Sequence, residues 1–129
     1  VKKIIALVAV LGALLLAGCG SSSTVATADP QAFLSTVSQP GVVTVDVRTA
    51  PEYAAGHVER AINIDVEAPT FDSQIATLDK NATYAVYCQS GRRSGIATDA
   101  MAKAGFTHVY NLSGGYPDLV SAGAKVTTS

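Results

Sequence analysis

From Asp29 onward, β-branched and apolar runs alternate with segments whose apolar positions recur every three or four residues. Asp29-Pro30-Gln31-Ala32-Phe33-Leu34 predicts a helix start, with Asp29 as N-cap and Pro30 in the first helical position; Gln39-Pro40-Gly41 ends it. The run Val42–Val47 predicts a buried parallel strand. Thr49-Ala50-Pro51-Glu52 predicts a capping box that opens a short helix closing near Gly56, and Ala61–Ile64 a second short strand. Phe71, Ile75 and Leu78 recur at i, i+4, i+7, so residues 70–78 are expected to be an amphipathic helix. Thr83–Tyr87 predicts a third strand ending at Cys88. A helix is expected from Arg93 or Ser94 to Ala104, closed by Gly105, with Ile96, Ala100, Met101 and Ala104 toward the sheet. Thr107–Asn111 predicts a fourth strand, Gly114-Gly115 a turn and Pro117–Ser121 a short helix, and Thr24–Thr27 offers an edge strand. Strands alternating with helices give an α/β domain whose largely parallel central sheet is flanked by helices on both faces.

The N-terminus follows a different pattern. A short basic start, Lys2-Lys3, precedes an almost wholly apolar stretch from Ile4 to Leu16. That stretch is too short to span a bilayer comfortably and matches the basic and apolar regions of a secretory signal. Leu16-Ala17-Gly18-Cys19 resembles a bacterial lipobox, in which the cysteine receives a diacylglyceryl group and becomes the new N-terminus after cleavage. Gly20-Ser21-Ser22-Ser23-Thr24 then reads as a flexible tether, and two acyl chains make a stable anchor. The expected organisation is a lipoprotein signal peptide over 1–18, a lipidated Cys19 and tether over 19–28, and one domain over 29–126.

Composition sharpens this picture in two places. The chain of 129 residues has a formal charge of −1, and removal of Lys2 and Lys3 with the leader takes it to −3. No basic tract survives, which argues against a nucleic-acid partner. The chain has two cysteines. With Cys19 given to lipid, Cys88 has no partner for an intrachain disulfide, and a lone thiol in an oxidising compartment is a liability unless buried or used.

The candidate chemistry is concentrated in Tyr87-Cys88-Gln89-Ser90-Gly91-Arg92-Arg93-Ser94. A thiol at a strand end faces a helix N-terminus, where unpaired N–H groups and the helix dipole favour negative charge. A tight loop around Cys88 can aim further N–H groups inward, and Gly91 allows the turn. Arg92 or Arg93 can point at an incoming anion. Such surroundings lower a cysteine's pKa, so the expected product is an exposed Cys88 thiolate in a pocket for small oxyanions. A free cysteine is also a common core residue; the Gln-Ser-Gly-Arg-Arg-Ser context is what favours the reactive reading. Asp46 and Arg48 end another strand on the same rim, where ligands bind in such folds. They are expected to support the Cys88 loop, or to form local ion pairs such as Arg48 with Glu52. His57 is expected to fix a turn and not to act as a base.

Together these residues carry a family resemblance. Asp46-Val47-Arg48, Glu52-Tyr53, Gly56-His57-Val58 and Ala61-Ile62-Asn63-Ile64 resemble the N-terminal signature of single-domain rhodaneses; the Cys88 loop resembles their active-site loop, and Gly114-Gly115-Tyr116 their C-terminal Gly-Gly signature. The resemblance covers 29–126 and implies a rhodanese-like fold and sulfurtransferase chemistry of the thiosulfate:cyanide class, with Cys88 catalytic and Gln89, Ser90, Gly91, Arg92 and Arg93 binding substrate. It implies a small sulfur-containing anion as donor and a thiol or cyanide as acceptor, and no metal or organic cofactor; a monomer is expected. The tryptophan that often follows the Gly-Gly signature is absent, and Leu119 stands about there. Phosphatases of this fold carry a loop one residue longer, so phosphatase-like chemistry is the weaker alternative. A persulfide carrier or a redox or sulfur sensor is the other.

Overall fold

A computed structural model describes residues 24–129. The signal, lipobox and Cys19 expectations lie outside the described residues. The elements are β1 (Val25–Ala28), α1 (Pro30–Val37), β2 (Val42–Asp46), α2 (Ala50–Ala55), β3 (His57–Val58), β4 (Ile62–Asn63), α3 (Phe71–Ile75), β5 (Thr83–Tyr87), α4 (Arg92–Lys103), β6 (His108–Leu112), α5 (Tyr116–Ser121) and β7 (Val126–Thr127). Five strands form a sheet in the order β1-β6-β5-β2-β4, every neighbouring pair parallel. The edge strand expected at Thr24–Thr27 is therefore present as β1, so the fold starts before Asp29, inside the stretch read as tether. The sequence pattern gave no sign of the small antiparallel pair β3–β7, because two-residue strands carry no periodicity.

Local chemistry explains the helix ends. Asp29 accepts the Ala32 N–H at 2.8 Å, and Pro30 follows where its missing donor costs nothing. Thr49 and Glu52 form the expected capping box at α2, an arrangement worth about 1 kcal/mol. Gly105, with φ near +97°, follows Ala104, the C-cap of α4, in the left-handed conformation that stops helices. Only Phe71–Ile75 of the expected 70–78 helix is α-helical. Both its anchors, Phe71 and Ile75, are buried, and Leu78 packs against the same core from the following turn.

The sheet's two-residue alternation divides the interior. Tyr84, Val86 and Cys88 point to one side with Val45 and Val47, and pack against Phe71 and Ile75 of α3 and Ala97 and Met101 of α4. Ala85 and Tyr87 point to the other side, against Phe33 of α1 and Leu119 of α5. Leu119 is fully buried, so an aliphatic side chain fills the core near the absent tryptophan. One expectation is corrected: Ile96 does not face the sheet but is 51% exposed. The helix begins one or two residues earlier than expected, at Arg92, and its buried stripe runs through Ser94, Ala97, Thr98 and Met101.

Candidate active site

β5 delivers Cys88 to the end of the sheet at which the strands finish. The chain then turns through Gln89 and Ser90 to Gly91, the N-cap of α4. Gly91 has φ near +104°, a conformation available to glycine at little cost, and its N–H donates to Cys88 Sγ at 3.0 Å. The loop is seated on the Gly-Gly turn. A Cβ on Gly115 would lie 1.9 Å from the Gln89 carbonyl oxygen, and the Tyr116 N–H donates to the Cys88 carbonyl at 2.9 Å. Gly115 thus serves close approach, since its own φ of −139° is open to any residue.

Burial pushes the Cys88 thiol up. The Ser94 hydroxyl and the backbone N–H groups of Ser94, Gly91 and Ser90 outweigh that, and the thiol ends below its ordinary value. The Ser94 hydroxyl has one proton and two acceptors, since Gly91 O lies 3.2 Å from its Oγ. The expectation of an exposed thiolate is corrected: Cys88 is 0% exposed. Cys88 belongs to the apolar cluster on the α3–α4 side of the sheet, with the Gly91 N–H on its sulfur.

Behind the loop, Asp46, Arg48 and Tyr87 form a buried network. Arg48 donates from Nε and Nη2 to Asp46, at 2.6 Å for the closest contact, from Nη2 to Gly56 O at 2.7 Å, and from Nη1 to Gln89 Oε1 at 3.0 Å. Its guanidinium lies 4.3 Å from the Tyr116 ring centroid. Tyr87 donates to Asp46 Oδ2 at 2.8 Å and accepts the Val58 N–H at 3.0 Å. Burial, with Asp46 beside it, pushes the Tyr87 hydroxyl far up, so it remains a neutral donor. Desolvation works against Arg48, but Asp46 more than compensates and raises it further. The pair's net stabilisation is small because two charges have left water. What it supplies is position: Arg48 fixes the first loop residue, Gln89, from across the sheet.

The two arginines of the loop have different roles. Arg93 is committed to Glu52, with Nη1 and Nη2 on the two carboxylate oxygens at 2.7 and 3.0 Å, and Nη1 is 3.6 Å from Glu67. That guanidinium, with the Thr49 contacts, holds Glu52 at about 2. Arg92 is exposed. The local Arg48–Glu52 pair is therefore not formed; each partner takes a different residue. A depression of about 340 Å³ beside the loop is lined by Arg48, Glu52, Ala55, Gly56, Gln89 and Tyr116. His57 fixes its turn, with Nδ1 2.8 Å from Tyr53 O.

All of Gln89, Ser90, Gly91, Arg92 and Arg93 lie at this loop, and Asp46 and Arg48 stand behind it. Sequence reasoning missed Tyr87, Ser94 and the Gly56 carbonyl as parts of the site. Tyr87 carried a signal: alternation puts the residue before Cys88 on the opposite face, toward Asp46.

A family model for the rhodanese-like domain matches residues 29–122. The chain belongs to the rhodanese-like domain family. It is 40% identical over 81 residues to thiosulfate sulfurtransferase PspE of Escherichia coli (strain K12), covering 63% of this chain and 77% of that protein. It is 34% identical over 102 residues to thiosulfate sulfurtransferase GlpE of Pseudomonas fluorescens (strain SBW25), covering 73% of this chain and 91% of that protein. Among solved structures, a rhodanese with anions from E. coli superposes with a TM-score of 0.57 at 35% identity, over 68% of this chain and 99% of that one. This rhodanese-like chain therefore has relatives that support a sulfurtransferase-type function.

Proposed function

We propose that this rhodanese-like protein moves sulfane sulfur from a thiosulfate-like donor to a thiophilic acceptor through a Cys88 persulfide. The observation that carries the reading is the Gly91 N–H donating to Cys88 Sγ at 3.0 Å in a tight loop before α4, where Ser94, Gly91 and Ser90 hold the thiol below its ordinary value and favour a thiolate. The thiolate attacks the outer sulfur of thiosulfate. A Cys88 S–S bond forms, the donor's S–S bond breaks, and sulfite leaves with the electron pair. Cyanide or a thiolate then attacks the outer sulfur of the persulfide, and Cys88 leaves as thiolate. No net redox change falls on the protein, and ping-pong kinetics are expected. The loop amides hold the charge on sulfur, Arg92 attracts the sulfonate, and Arg93 braces α2 against α4. The loop, with Arg93 five residues after Cys88, is one residue shorter than the loop of phosphatases of this fold, which favours sulfur over phosphorus.

The test is thiocyanate formation from thiosulfate and cyanide by residues 20–129, with Cys88→Ser as background. Wild-type turnover no greater than that background overturns the enzyme reading for this donor. The complete burial of Cys88 favours one second reading, a carrier that shelters a persulfide for a partner. Intact mass after thiosulfate treatment separates the two: a persistent gain of one sulfur without turnover supports the carrier.

The protein's proposed place is outside the cytoplasm, tethered to a membrane by lipid on Cys19. The motivation is the run Ile4–Leu16 followed by Leu16-Ala17-Gly18-Cys19. Cys19→Ala is expected to release the protein from membranes or block processing; a variant that fractionates like the wild type overturns the lipobox.

A further inference from the structure

The charges of the described domain are sorted by the two ends of the sheet. Residues 24–129 contain seven Lys and Arg. Arg48, Arg92 and Arg93 stand at the end where the strands finish. The other four stand where the strands begin. Lys80 precedes β5 and its carbonyl accepts the Thr107 N–H, beside β6; Lys103 is in the last turn of α4. Arg60 and Lys125 line a groove of about 780 Å³ that also contains Gly41 and Val42, at the start of β2. All four are exposed, and none forms an ion pair among the described residues. Glu59 and Asp79 are acids beside them, and Asp99 stands one turn before Lys103 on α4, whereas Asp29, Asp46, Glu52, Asp65, Glu67 and Asp118 gather at the other end.

The chain enters the fold at this same basic end. The Thr24 carbonyl accepts the Val109 N–H at 3.1 Å, at the start of β6. Between Cys19 and Thr24 lie only Gly20–Ser23, and the five steps from Cys19 to Thr24 reach at most about 18 Å. A membrane anchor at Cys19 would hold the starting end of the sheet close to the headgroups, within reach of their surface charge. The groove between Arg60 and Lys125 adds an apolar floor of Leu34, Val37 and Val42, suited to the headgroup–acyl boundary. Arg60 itself has φ near +70°, an uncommon conformation for a residue with a side chain.

We infer that the end of the sheet where the strands begin is a docking face for an anionic membrane surface, which turns the Cys88 loop toward the aqueous phase. The orientation rests on the tethering proposed above. It means that the sulfur donor and acceptor arrive from solution and not from the bilayer.

Residues 24–129 hold every element and both halves of the core described above, so this domain can be tested without an anchor. Its binding to phosphatidylglycerol vesicles is compared with binding to phosphatidylcholine vesicles by co-sedimentation. Each surface cation contributes about fivefold in partition. With Glu59, Asp79 and Asp99 offsetting four cations, about a fivefold preference for the anionic vesicles is expected. It should fade with added salt and vanish in an Arg60→Glu/Lys80→Glu/Lys103→Glu/Lys125→Glu variant whose sulfur transfer is unchanged. If that variant fails to fold, the corresponding Gln variant replaces it. Arg92→Glu, at the opposite end, is expected to leave partition unchanged. Equal binding to both vesicles, wild-type binding by the fourfold variant, or an equal loss in Arg92→Glu overturns the inference. No lipid anchor and no turnover enters the binding measurement, so its failure is distinct from failure of the lipobox or of sulfur transfer.

Discussion

The two ends of the sheet use the same residue types to opposite ends. Where the strands finish, Asp46 and Arg48 are buried, and Arg48 alone contacts Asp46, Gly56 and Gln89. Where the strands begin, Arg60, Lys80, Lys103 and Lys125 stand exposed without an ion pair among the described residues. A buried charge has lost its hydration and must be satisfied by fixed partners, so it holds geometry; an exposed one keeps its water and acts at a distance. The glycines differ in the same way. Gly115 has an ordinary φ but no room for a Cβ, whereas Gly123 has φ near +97° and open space around it. One is required by packing against the Cys88 loop, the other by backbone conformation alone.

Breaking the buried network is expected to have the largest effect on stability. Asp46→Ala would leave the Arg48 guanidinium buried without its carboxylate, a loss of about 3–5 kcal/mol in denaturant unfolding. Lys80→Ala at the other end should stay within about 0.5 kcal/mol. Equal losses would remove the distinction between the ends. Gly115→Ala comes next: the loop must shift to relieve a 1.9 Å contact, at about 1–3 kcal/mol and with a marked fall in sulfur transfer. Gly123→Ala should cost about 1–2 kcal/mol with activity intact. Retained activity in Gly115→Ala would show that the loop is not seated there.

The loop arginines offer a finer test by steady-state kinetics. Arg92→Ala should raise KM for thiosulfate roughly tenfold at unchanged stability, the loss of one charge-assisted contact. Arg93→Ala should instead lower stability, because Glu52 loses the partner that holds it at about 2. The smallest expected effect is on pH dependence. Glu52 sits below its ordinary value in the fold, so its stabilisation is complete above about pH 4.5 and is lost as pH falls toward 2. Glu52→Gln should therefore flatten part of the acid limb of thermal stability measured from pH 5 to 2. An unchanged acid limb would count against the Arg93–Glu52 pair.

Much of the fold was legible because its signals are local. The Asp29 cap, the Thr49–Glu52 capping box, the β-branched run at β2 and the glycine after α4 are each set by neighbouring residues. The Cys88 loop was legible for the same reason. Ile96 was misplaced because α4 offers two neighbouring stripes that share Met101, and packing on the sheet selects the one through Ala97 and Thr98. The two are one residue apart, about 100° around the helix.

Sequence by itself determined the chemistry available here: a thiol before a helix N-terminus, a glycine to turn the loop, two arginines, and a second strand ending in Asp46-Val47-Arg48. Only the tertiary structure decided how that chemistry is distributed. Arg93 goes to Glu52 and leaves Arg92 exposed; Arg48 reaches Gln89; Gly115 lies against the loop; and Cys88 is fully buried, with the Gly91 N–H on its sulfur. These contacts join residues far apart in the chain, such as 41 positions between Arg48 and Gln89. Their partners are chosen by strand order and burial, which no local pattern encodes.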